Sequence, residues 1–520
     1  MAVVQGMVDW KKRPIDKDIH GGNRVARFIY FLELVTSITF VATIFNIITY
    51  FLQTMHMDVA MATTTVTNIM GTSCAFALGF GLLLALQAHF PSLQPPPCDM
   101  SAISSSCKQV TGYRAAILHI GLYLYTFGEG CLRANLVSLG GDQFDDDDPK
   151  ELKQNLTLLV WIQDKKGWDL AFTVSAGFIL VGVVVIASGF SFFRNIIPTG
   201  SPLTRMLQVP VASYRKRNLQ FPENDEEIYL EYNKEENVGE VLPRTKGLKW
   251  LDRASISDGN AGNWHLCSVS QVEGMKIVLR MLPVFFSSMI GYISLPLLLT
   301  LTIQQGVTMN TKLGAIHVPP ASLFLIPVAF QLVILVLYDR LMVPFARKIT
   351  GCPTGITHLQ RAGVGFVANI IATVIGAVIK KKRKGVAEEY RLLDSGKPVP
   401  MHVMWLGLQF FAVGIVDIST FVGLLEFFNN EVSKGMKSLG TAIFWCNIGM
   451  SSFMGTVLVN VVNKATRNRG IGWLEGNNLN RNYLDRFYWL LAILGSVTFI
   501  NYLYWARRYT YRQRSLASIS

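Results

Sequence analysis

The sequence predicts an all-α, polytopic membrane protein, and three observations predict it. Half of the 520 residues are apolar and only 16% are charged, giving a mean hydropathy of +0.33 that soluble folds seldom reach. Windows of roughly 20 mostly apolar residues, the length that crosses a hydrocarbon core, recur along the chain. Inside those windows stand Glu33, Glu129, Arg133, Asp417 and Glu426. A charge near the bilayer centre costs at least ~2.5 to 3.5 kcal/mol, so it persists where it lines a pathway or has a partner.

About ten spans result. The first, 28–53, follows a polar, basic segment without the apolar core and cleavage site of a secretory signal, so the span itself directs insertion. The second, 63–88, runs from Thr67-Asn68-Ile69-Met70-Gly71-Thr72 through Ala77-Leu78-Gly79-Phe80 into Leu82 to Leu86 with no charged turn. Spans three and four cover 115–139 and 170–193, and between them Leu156 to Gln163 is an apolar stub too short to cross. From Arg194 to about Trp264 the chain turns polar, with an acidic stretch from Asn224 to Asn237. Six spans follow, at 275–305, 317–343, 361–379, 401–427, 440–463 and 485–506. The chain thus divides into a tail (1–27), an N-terminal membrane bundle (28–194), a linker (195–264), a C-terminal six-helix bundle (265–506) and a second tail (507–520).

The net charge of +13 is spread in short clusters between spans, which excludes a nucleic-acid surface as its main use. Lys11 to Arg13, Arg215 to Arg217, and Arg507, Arg508, Arg512 and Arg514 place both tails and the linker in the cytoplasm. Lys380 to Lys384 resists this rule, because alternation from the linker puts it outside. Cys74, Cys131, Cys352 and Cys446 read as packing residues, and an outward-facing loop would allow a disulfide between Cys98 and Cys107. No spacing of metal ligands and no cofactor motif is present. In the linker, Arg253-Ala254-Ser255 offers a kinase a basic residue two before Ser255, against the simpler reading of a solvated loop.

Two membrane bundles joined by a long cytoplasmic loop follow the major-facilitator plan, with a central site between the halves. The motifs narrow this further. They are Gly140-Gly141-Asp142-Gln143-Phe144-Asp145, Trp161-Ile162-Gln163-Asp164 with Gly167-Trp168, Trp250 to Ala254, Gln304-Gln305-Gly306-Val307-Thr308-Met309, Tyr338-Asp339-Arg340-Leu341 through Pro344 to Arg347, Gly355 to Arg361, Leu425-Glu426-Phe427-Phe428 and Lys437 to Thr441. Through them nearly the whole chain resembles a plant member of the nitrate/peptide transporter family. These are the proton-coupled oligopeptide transporters of the major facilitator superfamily, whose plan has twelve spans. Against that plan the charged turn after the second helix with the start of the third, and most of the fifth helix, are missing. Losing both restores the alternation of sides by 170–193; a shallow hairpin at 63–90 is the other solution.

The resemblance implies a proton symporter working by alternating access, multi-pass in the plasma or vacuolar membrane, with a small-molecule substrate, protons and the lipid bilayer as its partners. The family's first helix carries Glu-x-x-Glu-Arg; here the stretch reads Glu33-Leu34-Val35-Thr36-Ser37, so Glu33 is the proton site that remains. Without a local cation its carboxyl should be raised, unless the side chain snorkels to the headgroups. Arg133 and Glu426 stand where the family has a lysine and a glutamate that latch the halves or meet substrate. Glu129, four residues before Arg133, competes as a local partner. Asp417, about half a turn out of phase with Glu426, is expected to make a structural hydrogen bond. Tyr292, Thr300, Gln304 and Trp445 are the candidate lining residues, and Leu295 stands near the place of the nitrate transporters' histidine. Substrates in view are an acidic hormone such as abscisic acid, nitrate or a dipeptide. Two alternatives stand beside this: an incomplete, transport-inactive splice form or gene model of such a transporter, and a magnesium-dependent membrane transferase using Asp142 to Asp148.

Overall fold

The computed structural model describes residues 3–8, 14–16, 202–219 and, with short interruptions, 242–511, together with scattered positions within 28–65, 112–120 and 177–196. Among the described residues, five helices are long and apolar enough to cross a membrane: 269–307, 358–389, 403–431, 439–467 and 484–508. They correspond to expected spans in the second half. Positions 326, 327, 330, 331 and 334 of the expected span at 317–343 are also helical.

Near the start of the chain, β1 (Val3–Val8) pairs antiparallel with β2 (Pro14–Asp16) on one side and with β3 (Asn195–Ile196) on the other. The helix α1 (Pro202–Arg215) follows, then the single turn α2 (Lys249–Asp252), which runs into a 3-10 turn at Arg253–Ser255. Val209 and Ala212 of α1 pack with Leu251, Ala254, Cys267 and Val272 in a small apolar core separate from that of the bundle. Ser255 is buried there at 3% exposure, its hydroxyl donating to Asp252 O, so the residue offered to a kinase is enclosed rather than solvated.

The first long span is α3 (Val269–Tyr292) and α4 (Ser294–Val307), separated at Ile293. Pro296 explains the break, because proline has no N–H for the carbonyl four residues back and its ring crowds that carbonyl. Ser268 caps α3 by accepting from Gln271 N. After α5 (Val343–Thr350), α6 (His358–Glu389) starts from a capping box: the Thr357 hydroxyl accepts from Gln360 N at 3.3 Å, and Gln360 Oε1 accepts from Thr357 N at 3.1 Å. The next span is assembled from a 3-10 turn (Val403–Leu406), α7 (Gly407–Val416), a π-helical turn (Asp417–Phe421) and α8 (Val422–Glu431). The last two spans are α9 (Lys437–Arg467) and α10 (Leu484–Arg508).

Polar ties hold this bundle together, as expected where apolar helices gain nothing by leaving apolar lipid. Asn369 of α6 donates to Ser294 Oγ at 2.6 Å and Gly291 O at 3.3 Å. Asn447 of α9 donates to Phe285 O at 2.7 Å and Ser288 Oγ at 3.0 Å, and Gln409 of α7 to Thr302 Oγ1 at 2.8 Å. The outer face of α10 presents Trp489, Ile493, Val497, Ile500 and Tyr504, an exposed stripe at helical spacing suited to hydrocarbon.

Gly365 of α6 lets the π turn come close. A Cβ there would overlap Thr420 Oγ1 and stand 2.6 Å from Thr420 N. Gly365→Ala should therefore cost about 1–3 kcal/mol through forced backbone shifts, seen as a lower melting temperature in detergent. An unchanged melting temperature would refute this close packing.

The basic run Lys380 to Lys384 is corrected by the length of α6. The helix does not end at 379 but continues to Glu389, so these residues are not loop charges. Lys380 and Arg383 are fully buried and both donate to Leu479 O, while Arg383 also reaches Thr308 Oγ1. Lys382 lies over the Trp405 ring at 3.8 Å and Lys384 over the Tyr483 ring at 5.0 Å. A rule that counts solvated loop cations does not apply to charges occupied in this way.

Candidate functional site

At the N-terminus of α6 a guanidinium and an imidazole meet one carboxylate. His358 is the first residue of α6 and Arg361 stands one turn on, while Glu426 and Asn430 project from α8 four residues apart, on one face. Arg361 Nη1 donates to Glu426 Oε2 at 3.2 Å, and His358 Nδ1 lies 3.2 Å from the same oxygen. His358 Nε2 lies 3.1 Å from Asn430 Nδ2. The Arg361 guanidinium also stacks on the Tyr338 ring at 4.5 Å.

The electrostatics explain why this group holds together. A cation in the first turn of a helix faces the positive end of the helix dipole, so Arg361 is ill placed unless an anion lies near. Glu426 is that anion. The exposures are unequal: the Arg361 side chain is 9% exposed and that of Glu426 is 40% exposed. Arg361 Nε and Nη2 are buried without a hydrogen-bond acceptor among the described residues. The site is thus a largely enclosed guanidinium with spare donors beside an accessible carboxylate, an arrangement that can receive a second carboxylate or a comparable anion.

Neighbouring groups are already occupied. Tyr502 Oη donates to Leu359 O and Tyr511 Oη accepts from Leu359 N, which fixes the start of α6 to the last span and tail. Glu431 accepts from Tyr509 Oη at 2.7 Å, and burial together with that carboxylate keeps the Tyr509 phenol above its usual range. Asp417 accepts from Gln331 Nε2 at 2.9 Å, the structural hydrogen bond expected of it. Its angle to Glu426 differs from the expected half turn, however. One π turn takes up an extra residue, so about 80° separates the two positions rather than about 180°.

Of the sequence-predicted site residues, Glu33, Glu129 and Arg133 lie outside the described residues, as do Asp142 to Asp148 and the Cys98–Cys107 loop. Tyr292, Thr300 and Gln304 are buried in the span formed by α3 and α4, and the Thr300 hydroxyl donates back to Pro296 O. Trp445 is half-buried, its ring edge-on to Phe421 and Phe444. Sequence reasoning missed Arg361 and His358, although both stood in a quoted motif. The Thr357–Gln360 capping signature was the available signal, since it moves the helix start to include them.

A second polar cluster fastens the linker. Lys276 Nζ lies 2.5 Å from Asp252 Oδ1 and 2.7 Å from Glu273 Oε1, and donates to Thr245 O at 2.9 Å. Glu273 in turn accepts from Thr245 N at 2.9 Å and from its hydroxyl at 2.7 Å. Lys276, Glu273 and Asp252 are all 2% exposed or less.

Five membrane-length apolar helices with a charged cluster near one helix end define the class, an integral membrane protein. Residues 66–474 match the POT family. The chain is 36% identical over 574 residues to Protein NRT1/PTR FAMILY 4.6 of Arabidopsis thaliana, covering 98% of this chain and 97% of that protein. It therefore belongs to the POT family of transporters, in company with the plant NRT1/PTR proteins. Among solved structures it resembles an auto-inhibited POT family peptide transporter, with a TM-score of 0.60 at 14% identity over 95% of this chain and 98% of the other. It also resembles a POT family transporter in complex with 5-aminolevulinic acid, with a TM-score of 0.54 at 10% identity over 94% of this chain and 97% of the other. Membership in a transporter family sets aside the transferase reading of the aspartate run.

Proposed function

We propose that the chain is a proton-coupled symporter of a small anionic or peptide-like solute, working by alternating access in the plasma or vacuolar membrane. The observation that carries this reading is the accessible Glu426 held by Arg361 and His358 across two helices of one half. In this mechanism Glu426 exchanges partners. Facing one side it is held by α6; when the halves close it pairs with Arg133, with Glu129 as the local competitor for that arginine. A substrate carboxylate would take the spare donors of Arg361 once Glu426 leaves, so binding is linked to the change of access. Glu33 takes up a proton on the first helix. An acidic hormone such as abscisic acid is the preferred substrate among these, its carboxylate accepting two parallel N–H bonds from Arg133.

The test is proton-dependent uptake in a heterologous membrane with abscisic acid, nitrate and a dipeptide, surface expression being measured alongside. Uptake of one of these, lost on Arg133→Ala, supports the reading and fixes the substrate class. A second reading has an observation of its own. The match to the Arabidopsis relative runs over 574 residues while this chain has 520, so the alignment carries gaps in this chain. An incomplete, transport-inactive form would reach the surface and move none of the three.

A further inference from the structure

We infer that His358 is a proton acceptor of the transport cycle, and that the His358, Glu426, Arg361 and Asn430 cluster is a proton-operated anion gate. This rests on the symporter reading and adds to it a site that the first-helix motif does not supply. The starting point is the hydrogen-bond pattern. Asn430 Nδ2 donates to His358 Nε2, which must then carry no proton. The ring proton is on Nδ1 and points to Glu426 Oε2. The imidazole is neutral in this arrangement, and the cluster holds one cation and one anion.

Now let a proton from water bind the lone pair of Nε2. The new N–H cannot face the Asn430 amino group, so the amide must turn and present its oxygen. Glu426 then sits between two cations, Arg361 and the imidazolium, and the cluster carries one net positive charge. Arg361 already has buried Nε and Nη2 donors with no hydrogen-bond acceptor among the described residues. An incoming anion is therefore attracted by the added charge and finds donors in place. Loss of the proton restores neutrality and releases the anion. Histidine is suited to this because its ordinary titration lies between pH 5 and 8.

The groups on the elements packed around the start of α6 support the assignment. From α8 come Glu426, Asn430 and Glu431, the last engaged by Tyr509. From the last span and tail, Tyr502 and Tyr511 are bound to the backbone of Leu359. Tyr338 covers Arg361, and from α6 itself the charge is Arg361. The π turn contributes the neutral Thr420, which donates to Ala362 O. Glu426 is the one carboxylate among these that reaches the ring, so protonation of His358 acts on Glu426.

The experiment compares the pH profile of uptake in the wild type, His358→Gln and Asn430→Ala, with surface expression measured for each. Glutamine can keep a hydrogen bond to Glu426 and to Asn430 but cannot titrate. His358→Gln should flatten the fall of uptake between pH 5.5 and 7.5 at unchanged expression, by about tenfold at the acid end. Asn430→Ala removes the amide that bonds Nε2 in both states of the ring and should shift the midpoint of the profile. A wild type whose uptake ignores pH refutes the symporter reading itself. A pH-dependent wild type whose midpoint and steepness persist in both variants overturns the role of His358 and leaves the symporter reading standing. If His358→Gln fails to reach the surface, Asn430→Ala decides alone: a shifted midpoint supports the gate, and an unmoved one overturns it.

Discussion

Arg361→Ala should lower uptake by about 5- to 150-fold, the range of a typical coupling free energy between sites, while leaving the bundle folded. The two effects separate because the partners are unequally buried. Glu426 is 40% exposed, so water can solvate it once the guanidinium is gone. The stability lost is on the order of 1–2 kcal/mol, between the limits for surface and buried pairs. Transport loses more. The substrate loses its buried donors, and Glu426 loses the partner that competes with the other half. Arg361→Lys, which keeps the charge but not the fork, should recover part of the rate. Uptake equal to wild type in the alanine variant, at equal surface expression, would remove Arg361 from the mechanism.

The second large effect is on stability. Lys276→Met takes the ammonium from between two carboxylates that are almost fully buried, and breaking such a group from one side costs about 3–5 kcal/mol. Glu273 keeps the N–H and hydroxyl of Thr245, and Asp252 keeps Arg244 at 3.5 Å, so the damage falls on the attachment of residues 244–256 to α3 rather than on the spans. Hydrogen exchange should show those amides losing protection while α6 and α10 keep theirs. Adding Asp252→Asn should restore part of it by removing one of the stranded charges. Equal protection in Lys276→Met and wild type would show that the lysine is dispensable.

How much of this was legible in the sequence depended on range. Spans of the second half follow from apolar windows, since a helix that must cross hydrocarbon announces itself by composition. Their ends did not, because α6 extends past its apolar window at both ends: by His358 to Gln360 at the start, and by a basic turn whose charges are buried at the other end. Leu479 O, which accepts from Lys380, is 99 residues away, and no local pattern encodes it. The same holds at the site. Glu426 was recognised as a charge needing a partner, yet Arg361 and His358 are 65 and 68 residues distant. The π turn has no signature in Asp417 to Phe421, and it alters the phase of everything after it.

One feature of the linker bears on how far the protein can move. α1 packs on the small apolar core with α2 and the start of α3, and Lys276 secures Thr245 and Asp252, so these described parts of the linker are fastened to the C-terminal helices. On the other side, Asn195 and Ile196 are paired with the N-terminal strand β1. Only residues 197–201 lie between these two anchorages. Fully stretched, the six steps from Ile196 to Pro202 reach about 21 Å. A segment seventy residues long by sequence thus behaves as a short leash, and under the proposed alternating access its reach would bound the excursion of one half against the other.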